Sequence, residues 1–154
     1  MEWSPSFYAH RRGDGCPMCA EHRQDDVGYG LRFLEGETAD AYLQRAKIQR
    51  GYAVVVWRGR HVAEPTELED EEVFGYLRDV LCAARALEQH FGPVKTNYNT
   101  LGNSMPHLHT HVIPRYADDP KPGWPFPFPD GDPGRWGETE VRADVDALRA
   151  ITAG

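Results

Sequence analysis

The chain has 154 residues, of which 40% are hydrophobic and 27% charged, and it carries a formal net charge of −7. This predicts one globular domain, residues 1–154, with a real core. The negative charge argues against a nucleic-acid binder, which needs basic side chains to release phosphate counterions. Without a bilayer-length apolar run or a signal-peptide pattern at the N-terminus, we expect a cytoplasmic protein that does not bind membranes.

The first third of the chain predicts an arm, a short helix and three strands. Residues 1–15 show no periodicity and are interpreted as an extended arm or loop. Proline near the start of 17–24 suits the first turn of a short helix. Strands are predicted over 27–35 and 38–44, and the β-branched and aromatic run 51–57 is the strongest strand prediction of this region.

The middle of the chain predicts one long amphipathic helix. Residues 65–72 are rich in Asp and Glu, which suit the positive end of a helix dipole. Apolar residues then recur at three- and four-residue steps to about His90, and a Gly-Pro pair ends the helix. Two strands, 94–99 and 105–114, follow. The order β-β-β-α-β-β favours an α+β fold with an antiparallel sheet of about five strands.

The composition changes after residue 117. Residues 118–137 are rich in proline and aromatic side chains, which alternate strictly over 124–129. Such a pattern forces an extended path with few backbone donors. Because a flexible linker would be rich in Gly and Ser instead, we expect this segment to pack on the domain or on a second subunit. Residues 138–151 predict a short C-terminal helix.

Three histidines, His107, His109 and His111, alternate with apolar or β-branched residues in the last predicted strand. Because side chains alternate across a strand, the three imidazoles are expected on one face, with the intervening residues toward the core. Buried imidazole nitrogens need partners, so three at this spacing indicate a functional site rather than packing. A neutral imidazole on a rigid strand is a good nucleophile near neutral pH.

Other polar groups flank the histidines. The turn Gly102-Asn103-Ser104 supplies side-chain donors and backbone N–H groups that can face a phosphate. Arg115 either adds a positive charge at the strand's end or is a surface residue. Together with a histidine nucleophile, these groups suit attack on phosphorus, with donors to the non-bridging oxygens.

Cys16 and Cys19 form a Cys-x-x-Cys pair, which indicates half of a metal site or a redox pair in a cytosolic chain. A closed site with two histidines would hold structural zinc, and His22, His61 and His107 are the candidates for those ligands. Zinc held by the three strand histidines would instead leave an open catalytic position. Two thiols without metal are the remaining interpretation.

The run His107–Arg115 (HLHTHVIPR) resembles the His-φ-His-φ-His-φ-φ signature of the histidine triad family. The resemblance covers about residues 16–117. Residues 51–61 look like the family's strand that ends in basic residues and a histidine, 69–72 like the acidic start of its long helix, and 102–104 like the segment before the triad. The resemblance implies a histidine triad (HIT)-like antiparallel sheet with one long helix. It also implies a nucleotide substrate and a homodimer paired through the helix and a sheet edge.

The resemblance also implies hydrolysis or nucleotidyl transfer at the α-phosphate of a dinucleoside polyphosphate, a nucleoside phosphoramidate or an acyl-adenylate. His109 would attack phosphorus and form a nucleotidyl-histidine intermediate. His111 would contact the phosphate, and Ser104 would hydrogen-bond the bridging or leaving atom. The implied substrate-binding residues are Asn97, Asn99, Gly102 and Asn103.

Some members of the family, and the related galactose-1-phosphate uridylyltransferases, bind structural zinc. By resemblance the ligands here are Cys16, Cys19, His61 and His107, and no metal is needed for the chemistry itself. His22 in place of His61 is the alternative, although three ligands would then crowd into one short stretch.

Several positions depart from the family's pattern, among them Thr110 at an apolar position of the signature and Asn103 where many members carry Gln. Tyr52 stands where many members carry histidine, and residues 42–45 contain no clear counterpart of the family's ribose-binding acid. The alternative functions are a nucleotide-binding regulatory module with little catalysis and a zinc-dependent hydrolase that uses the triad as ligands.

Overall fold

The computed structural model describes residues 2–154 and contains an open five-stranded antiparallel sheet in the order β1-β2-β3-β5-β4. The predicted α+β fold is therefore confirmed. The elements are α1 Pro5–Arg11, α2 Pro17–Ala20, β1 Gly30–Glu35, β2 Ala39–Gln44, β3 Ala53–Trp57, a 3-10 turn Pro65–Glu67, α3 Asp70–Phe91, β4 Lys95–Asn99, β5 His109–Arg115 and α4 Glu138–Ala153.

The first sheet face carries the larger hydrophobic core. Helices α3 and α4 pack there, and the buried side chains include Val80 and Leu87 of α3, Leu148 of α4, Val55 of β3 and Val112 of β5. Each fully buried Val or Leu stabilises the fold by roughly 1.5–3 kcal/mol. Among residues 2–154, no helix combines the length and apolar character that a membrane span requires.

The opposite sheet face carries a smaller cluster of buried residues, partly covered by side chains from irregular segments. We call it the histidine face, because His109 and His111 lie beside this cluster. The buried members are Tyr42, Tyr52, Val54, Val56 and Ile113, and the partly buried residues packed on them are Met18, Val27, Tyr29, Ile48 and Phe126.

Helix α3 begins later than its acidic entry suggested. Residues 65–67 form a separate 3-10 turn, and α3 starts after Glu69, whose backbone and side chain form a reciprocal capping box with Glu72. The helix ends at Gly92, which adopts the left-handed conformation (φ 64°) that glycine tolerates best. The long amphipathic helix itself is as predicted.

Two local predictions were wrong. Residues 1–15 are not an irregular arm throughout, because Pro5–Arg11 form α1, capped by the Ser4 side chain, which accepts from Phe7 N. The last strand begins at His109 rather than at 105, since His107 lies in a bend whose backbone bonds to a carbonyl two residues earlier. Strand alternation therefore explains the shared face of His109 and His111 but not the position of His107.

Candidate functional site

His109 and His111 reach the histidine face through the pairing of β5 with β3. His109 lies opposite Val56, and His111 lies opposite Val54. Both valines belong to the smaller cluster, so the two imidazoles point away from α3. Thr110 between them points to the other face, where its hydroxyl lies 2.7 Å from that of Tyr76.

His109 is held as a neutral imidazole, and its second nitrogen has no hydrogen-bond partner among residues 2–154. Its side chain is nearly enclosed, with 6% of the residue exposed, and burial lowers the pKa of His109. Nδ1–H donates to the carbonyl oxygen of His107 at 2.6 Å. The lone pair of a neutral imidazole held in this way is on Nε2. His109 therefore presents a nucleophilic nitrogen.

His111 lies next to His109, with ring centroids 4.9 Å apart. Burial, and secondarily the neighbouring His109, lower the pKa of His111 to about 4, so this imidazole is also neutral at physiological pH. Its Nδ1 is hydrogen-bonded to the hydroxyl of Tyr52. The two strand histidines thus have different partners: a backbone carbonyl for one and a phenol for the other.

An aromatic strap, residues 124–129, lies over the histidine face. The ring of Phe128 meets those of His111 and Tyr52 edge-on, with centroid distances of 6.3 Å to each. Phe126 lies 5.2 Å from Phe128 and packs on the smaller cluster. The proline-rich segment thus packs on the domain body, and a ligand that binds beside His111 would contact its aromatic rings.

Arg115 holds the strap in place. Its guanidinium donates to both carboxylate oxygens of Asp119, to Asn97 Oδ1 and to the carbonyls of Lys121 and Trp124, so all five N–H donors are used. The hydrogen bonds from Arg115 lower the pKa of Asp119 to about 2. Arg115 is therefore a buried anchor, neither a surface residue nor a free phosphate-binding charge.

Cys16, Cys19, His61 and His107 form one cluster whose candidate ligand atoms all lie within 4.8 Å of one another. Nδ1 of His107 is 3.5 Å from the sulfur of Cys16 and from that of Cys19, and Nδ1 of His61 is 3.3 Å from the sulfur of Cys19. A tetrahedral zinc ion separates its sulfur and nitrogen ligands by about 3.5 Å. His22, the alternative ligand, is not a member of the cluster.

Backbone carbonyls orient both histidines of this cluster. Nε2 of His107 lies 2.7 Å from the carbonyl oxygen of Trp57, and Nε2 of His61 lies 3.1 Å from that of Arg11. Each Nε2–H donates, which leaves the Nδ1 lone pair directed at the sulfurs, as metal-binding histidines require. Gly13 (φ +91°) permits this packing, because a Cβ there would lie 3.2 Å from the ring of His61.

The chemistry of the four donors also fits a divalent cation. Burial lowers the pKa of His107 to about 4, so its imidazole is a neutral ligand. Burial and the adjacent Cys16 raise the pKa of the Cys19 thiol to about 11. A bound cation is what stabilises thiolates in such a place. Two thiols and two imidazoles make a closed set of four donors with no open catalytic position.

A buried ion network fastens the cysteine segment to the sheet. Asp40 of β2 is fully buried and accepts from Arg23 at 2.7 Å and from Arg58 at 3.2 Å. Arg58 also donates to the carbonyl oxygen of Met18, which lies between the two cysteines. A buried carboxylate needs such partners, and here they also set the position of the Cys-x-x-Cys turn.

The predicted substrate-binding residues lie on two segments beside the triad. The register of β4 with β5 places Asn97 opposite Ile113 and Asn99 opposite His111, on the histidine face. Both asparagines line an open cavity of about 630 Å³ that Arg115 and Trp124 also border. The remaining three, Gly102, Asn103 and Ser104, lie in the bend that leads into His107.

A family model described as HIT domain matches residues 30–118, which is more than half of the chain. The chain belongs to the histidine triad (HIT) family. Protein hit of Bacillus subtilis strain 168 is 30% identical over 91 residues, and the match covers 56% of this HIT protein and 62% of the length of that relative.

Solved structures show the same HIT fold. A histidine triad protein from Marinobacter aquaeolei VT8 superposes with a TM-score of 0.71 at 23% identity, over 82% of this chain and 91% of that one. A Zn-bound histidine triad family protein from Mycobacterium smegmatis superposes with a TM-score of 0.58 at 22% identity, over 90% and 91% of the two chains. At these identities the likeness concerns the fold.

Sequence reasoning passed over two residues on the histidine face of this HIT domain. In the sequence Tyr52 stands out only as a departure from histidine, although it keeps the alternation of Val54 and Val56. Gln44 continues the alternation of Tyr42 on β2 and has a buried side-chain nitrogen, which among the described residues has no hydrogen-bond partner. Alternation could have flagged both, but their polar contacts depend on how distant strands pair.

Proposed function

We propose that this HIT protein is a nucleotide hydrolase or nucleotidyl transferase that acts at the α-phosphate of a nucleoside phosphate. The observation that carries the proposal is the state of His109: a buried, neutral imidazole whose Nδ1–H is held by the His107 carbonyl. Binding alone requires no such nucleophile. The substrate classes are dinucleoside polyphosphates, nucleoside phosphoramidates and acyl-adenylates.

The reaction proceeds through a nucleotidyl-histidine intermediate. Nε2 of His109 attacks phosphorus, the N–P bond forms, and the bond to the leaving group breaks with its electron pair on the departing atom, which takes up a proton. The carbonyl of His107 stabilises the positive charge that develops on the ring. Water or another acceptor then attacks phosphorus, loses a proton and releases His109 as a neutral imidazole.

The neighbouring residues bind the phosphate. His111 donates to a non-bridging oxygen, and Ser104 hydrogen-bonds the bridging or leaving atom. Asn97, Asn99, Gly102 and Asn103 contribute further polar contacts from the two segments beside the triad.

Structural zinc is part of the proposal. Cys16, Cys19, His61 and His107 would hold it, and the name of the Mycobacterium smegmatis relative includes bound zinc. When bound, the metal would cross-link the cysteine turn, the loop after β3 and the bend before β5. His109 and His111 are not zinc ligands in this proposal, because His107 belongs to the four-donor cluster and that cluster is already a closed ligand set.

The test uses adenosine 5′-phosphoramidate, with release of adenosine monophosphate followed by chromatography. We expect turnover by the wild type and a loss of about a thousandfold or more in His109→Ala. A brief exposure of the wild type, followed by mass spectrometry of the denatured chain, should show a nucleotide adduct on the peptide that contains His109.

His90→Ala is the matched control, because His90 lies between α3 and α4, where its Nε2 is 2.9 Å from Asp144. This variant should keep the wild-type rate. Turnover by His109→Ala at the wild-type rate would contradict the covalent mechanism. Binding of nucleotides without turnover of any of the three substrate classes would favour a regulatory module instead.

A further inference from the structure

Tyr52 is a buried tyrosine on the histidine face, one residue before β3, and only 4% of it is exposed. Its ring lies nearly parallel to the imidazole of His111, with centroids 5.8 Å apart and an interplanar angle of 13°. Its hydroxyl is hydrogen-bonded to Nδ1 of His111. The roles proposed above leave this hydroxyl without a function.

The two partners determine the direction of this hydrogen bond. Burial raises the pKa of Tyr52, so the phenol keeps its proton. The low pKa of His111, about 4, leaves a neutral ring with a single N–H. If that hydrogen were on Nδ1, then Nδ1 would donate to the Tyr52 oxygen, and the hydroxyl hydrogen would need a different acceptor. Among the described residues it has none. Donation from Tyr52 to Nδ1 satisfies both groups.

We propose that Tyr52 is a positioning residue that holds His111 as the Nε2–H tautomer, so that Nε2 donates to a phosphate oxygen of the substrate. The inference rests on the proposed nucleotidyl chemistry and deepens it. A carbonyl acceptor holds the hydrogen of His109 on Nδ1, whereas a hydroxyl donor holds that of His111 on Nε2. Neighbouring histidines on one strand are thus fixed in opposite tautomers.

The opposite tautomers suit the two roles. His109 must present a lone pair to phosphorus, and His111 must present an N–H to an anionic oxygen. Phe128 lies edge-on to Tyr52 and His111, and Tyr52 is only 4% exposed, so their hydrogen bond lies in a largely buried place, where such a bond is stronger. Without the hydroxyl, His111 would populate both tautomers, and the Nδ1–H form would direct a lone pair at the phosphate.

The first measurement needs no substrate. In the zinc-loaded protein labelled with ¹⁵N-histidine, long-range ¹H–¹⁵N spectra at pH 7 report which nitrogen of each ring carries the hydrogen. The signals of His111 are assigned by their loss in His111→Gln. We expect the Nε2–H form in the wild type and a mixture of tautomers in Tyr52→Phe.

The second measurement compares turnover of adenosine 5′-phosphoramidate by the same proteins. We expect Tyr52→Phe to lower kcat about tenfold, the value of one hydrogen bond, with a smaller change in KM. Tyr76→Phe is the matched control. It removes another buried hydroxyl bonded to β5, at Thr110 on the opposite face, and should leave both the His111 tautomer and kcat unchanged.

An Nδ1–H tautomer of His111 in the wild type would overturn the inference, even if Tyr52→Phe failed to fold. So would an unchanged tautomer in Tyr52→Phe, or an equal loss of kcat in Tyr76→Phe. Absence of turnover by the wild type would instead contradict the proposed function, and the spectra would still decide whether Tyr52 sets the tautomer of His111.

Discussion

Asp79 shows how one side chain joins the sheet to the long helix. This α3 residue is 6% exposed, and its carboxylate accepts hydrogen bonds from the backbone N–H groups of Thr38 and Ala39 at 2.7 and 2.9 Å and from the Thr38 hydroxyl at 2.8 Å. The N–H of Glu37 adds a longer bond of 3.3 Å. A single carboxylate therefore accepts from three consecutive backbone N–H groups of the β1–β2 turn.

We predict that Asp79→Ala lowers the free energy of unfolding by about 2–4 kcal/mol, because the buried turn amides would lose their acceptor. Urea denaturation followed by circular dichroism measures the change. Arg78→Ala is the control, since it removes an exposed ion pair with Glu37 of the same turn and should cost less than about 0.5 kcal/mol. Equal effects of the two substitutions would contradict the prediction.

Residue types at fixed spacing made part of the site predictable. The histidine alternation and the Cys-x-x-Cys pair are local patterns, and they led to His109, His111, Cys16 and Cys19. The contact between Tyr52 and His111 joins residues 59 positions apart and depends on the register of β3 with β5. Local spacing contains no information about that register.

At the scale of elements, the four-donor cluster joins segments that the sheet alone would leave separate. Cys16 is the N-cap of α2 and Cys19 lies within that helix, His61 follows β3, and His107 precedes β5. Cys19 and His61 are 42 positions apart. If a metal link is treated as a cross-link, closing a loop of that size is worth about 4 kcal/mol in chain entropy.

We predict that the purified protein contains about one zinc ion per chain and that Cys19→Ser loses it, with a fall of about 4 kcal/mol in the free energy of unfolding. Elemental analysis and urea denaturation measure the two quantities. His22→Ala is the matched control, because His22 lies near the cysteines but outside the cluster. The His22→Ala protein should still contain one zinc ion per chain. Retention of zinc by Cys19→Ser, or its loss from His22→Ala, would refute this ligand set.

The long helix α3 was predictable, whereas the short helix α1 and the start of β5 were not. The 22 residues of α3 are long enough for apolar residues to recur several times at three- and four-residue steps, and this pattern indicates an amphipathic helix rather than a strand. Helix α1 has seven residues, which are too few to show a periodic pattern. The late start of β5 could not be predicted either, because a backbone hydrogen bond from His107 N–H to the Met105 carbonyl turns the chain just before the strand.

At the scale of the whole molecule, two elements leave apolar side chains exposed. Phe74 and Leu77 of α3 are 68% and 52% exposed, and Tyr98 of the edge strand β4 is 44% exposed. Exposed apolar side chains on a helix and a sheet edge are typical of an interface. They are the parts through which the proposed homodimer would pair.

We predict a dimer in solution, and a monomer for the double variant Phe74→Glu, Leu77→Glu, because two buried carboxylates per protomer would oppose association. Analytical ultracentrifugation measures the mass. Trp3→Glu is the control, since Trp3 is also an exposed aromatic residue but lies next to α1. A wild type that sediments as a monomer at micromolar concentration would exclude this homodimer.

The order of strands in the sheet has a consequence for synthesis on the ribosome. β4 leaves the ribosome before β5, yet its only neighbour in the sheet is β5, which inserts between β3 and β4. Until then the nascent chain can form only the three-stranded meander, and β4 has no partner. Residues 107–111, which carry the last cluster donor and the nucleophile, emerge at that step. Completion of the sheet and completion of the site are therefore a single late event.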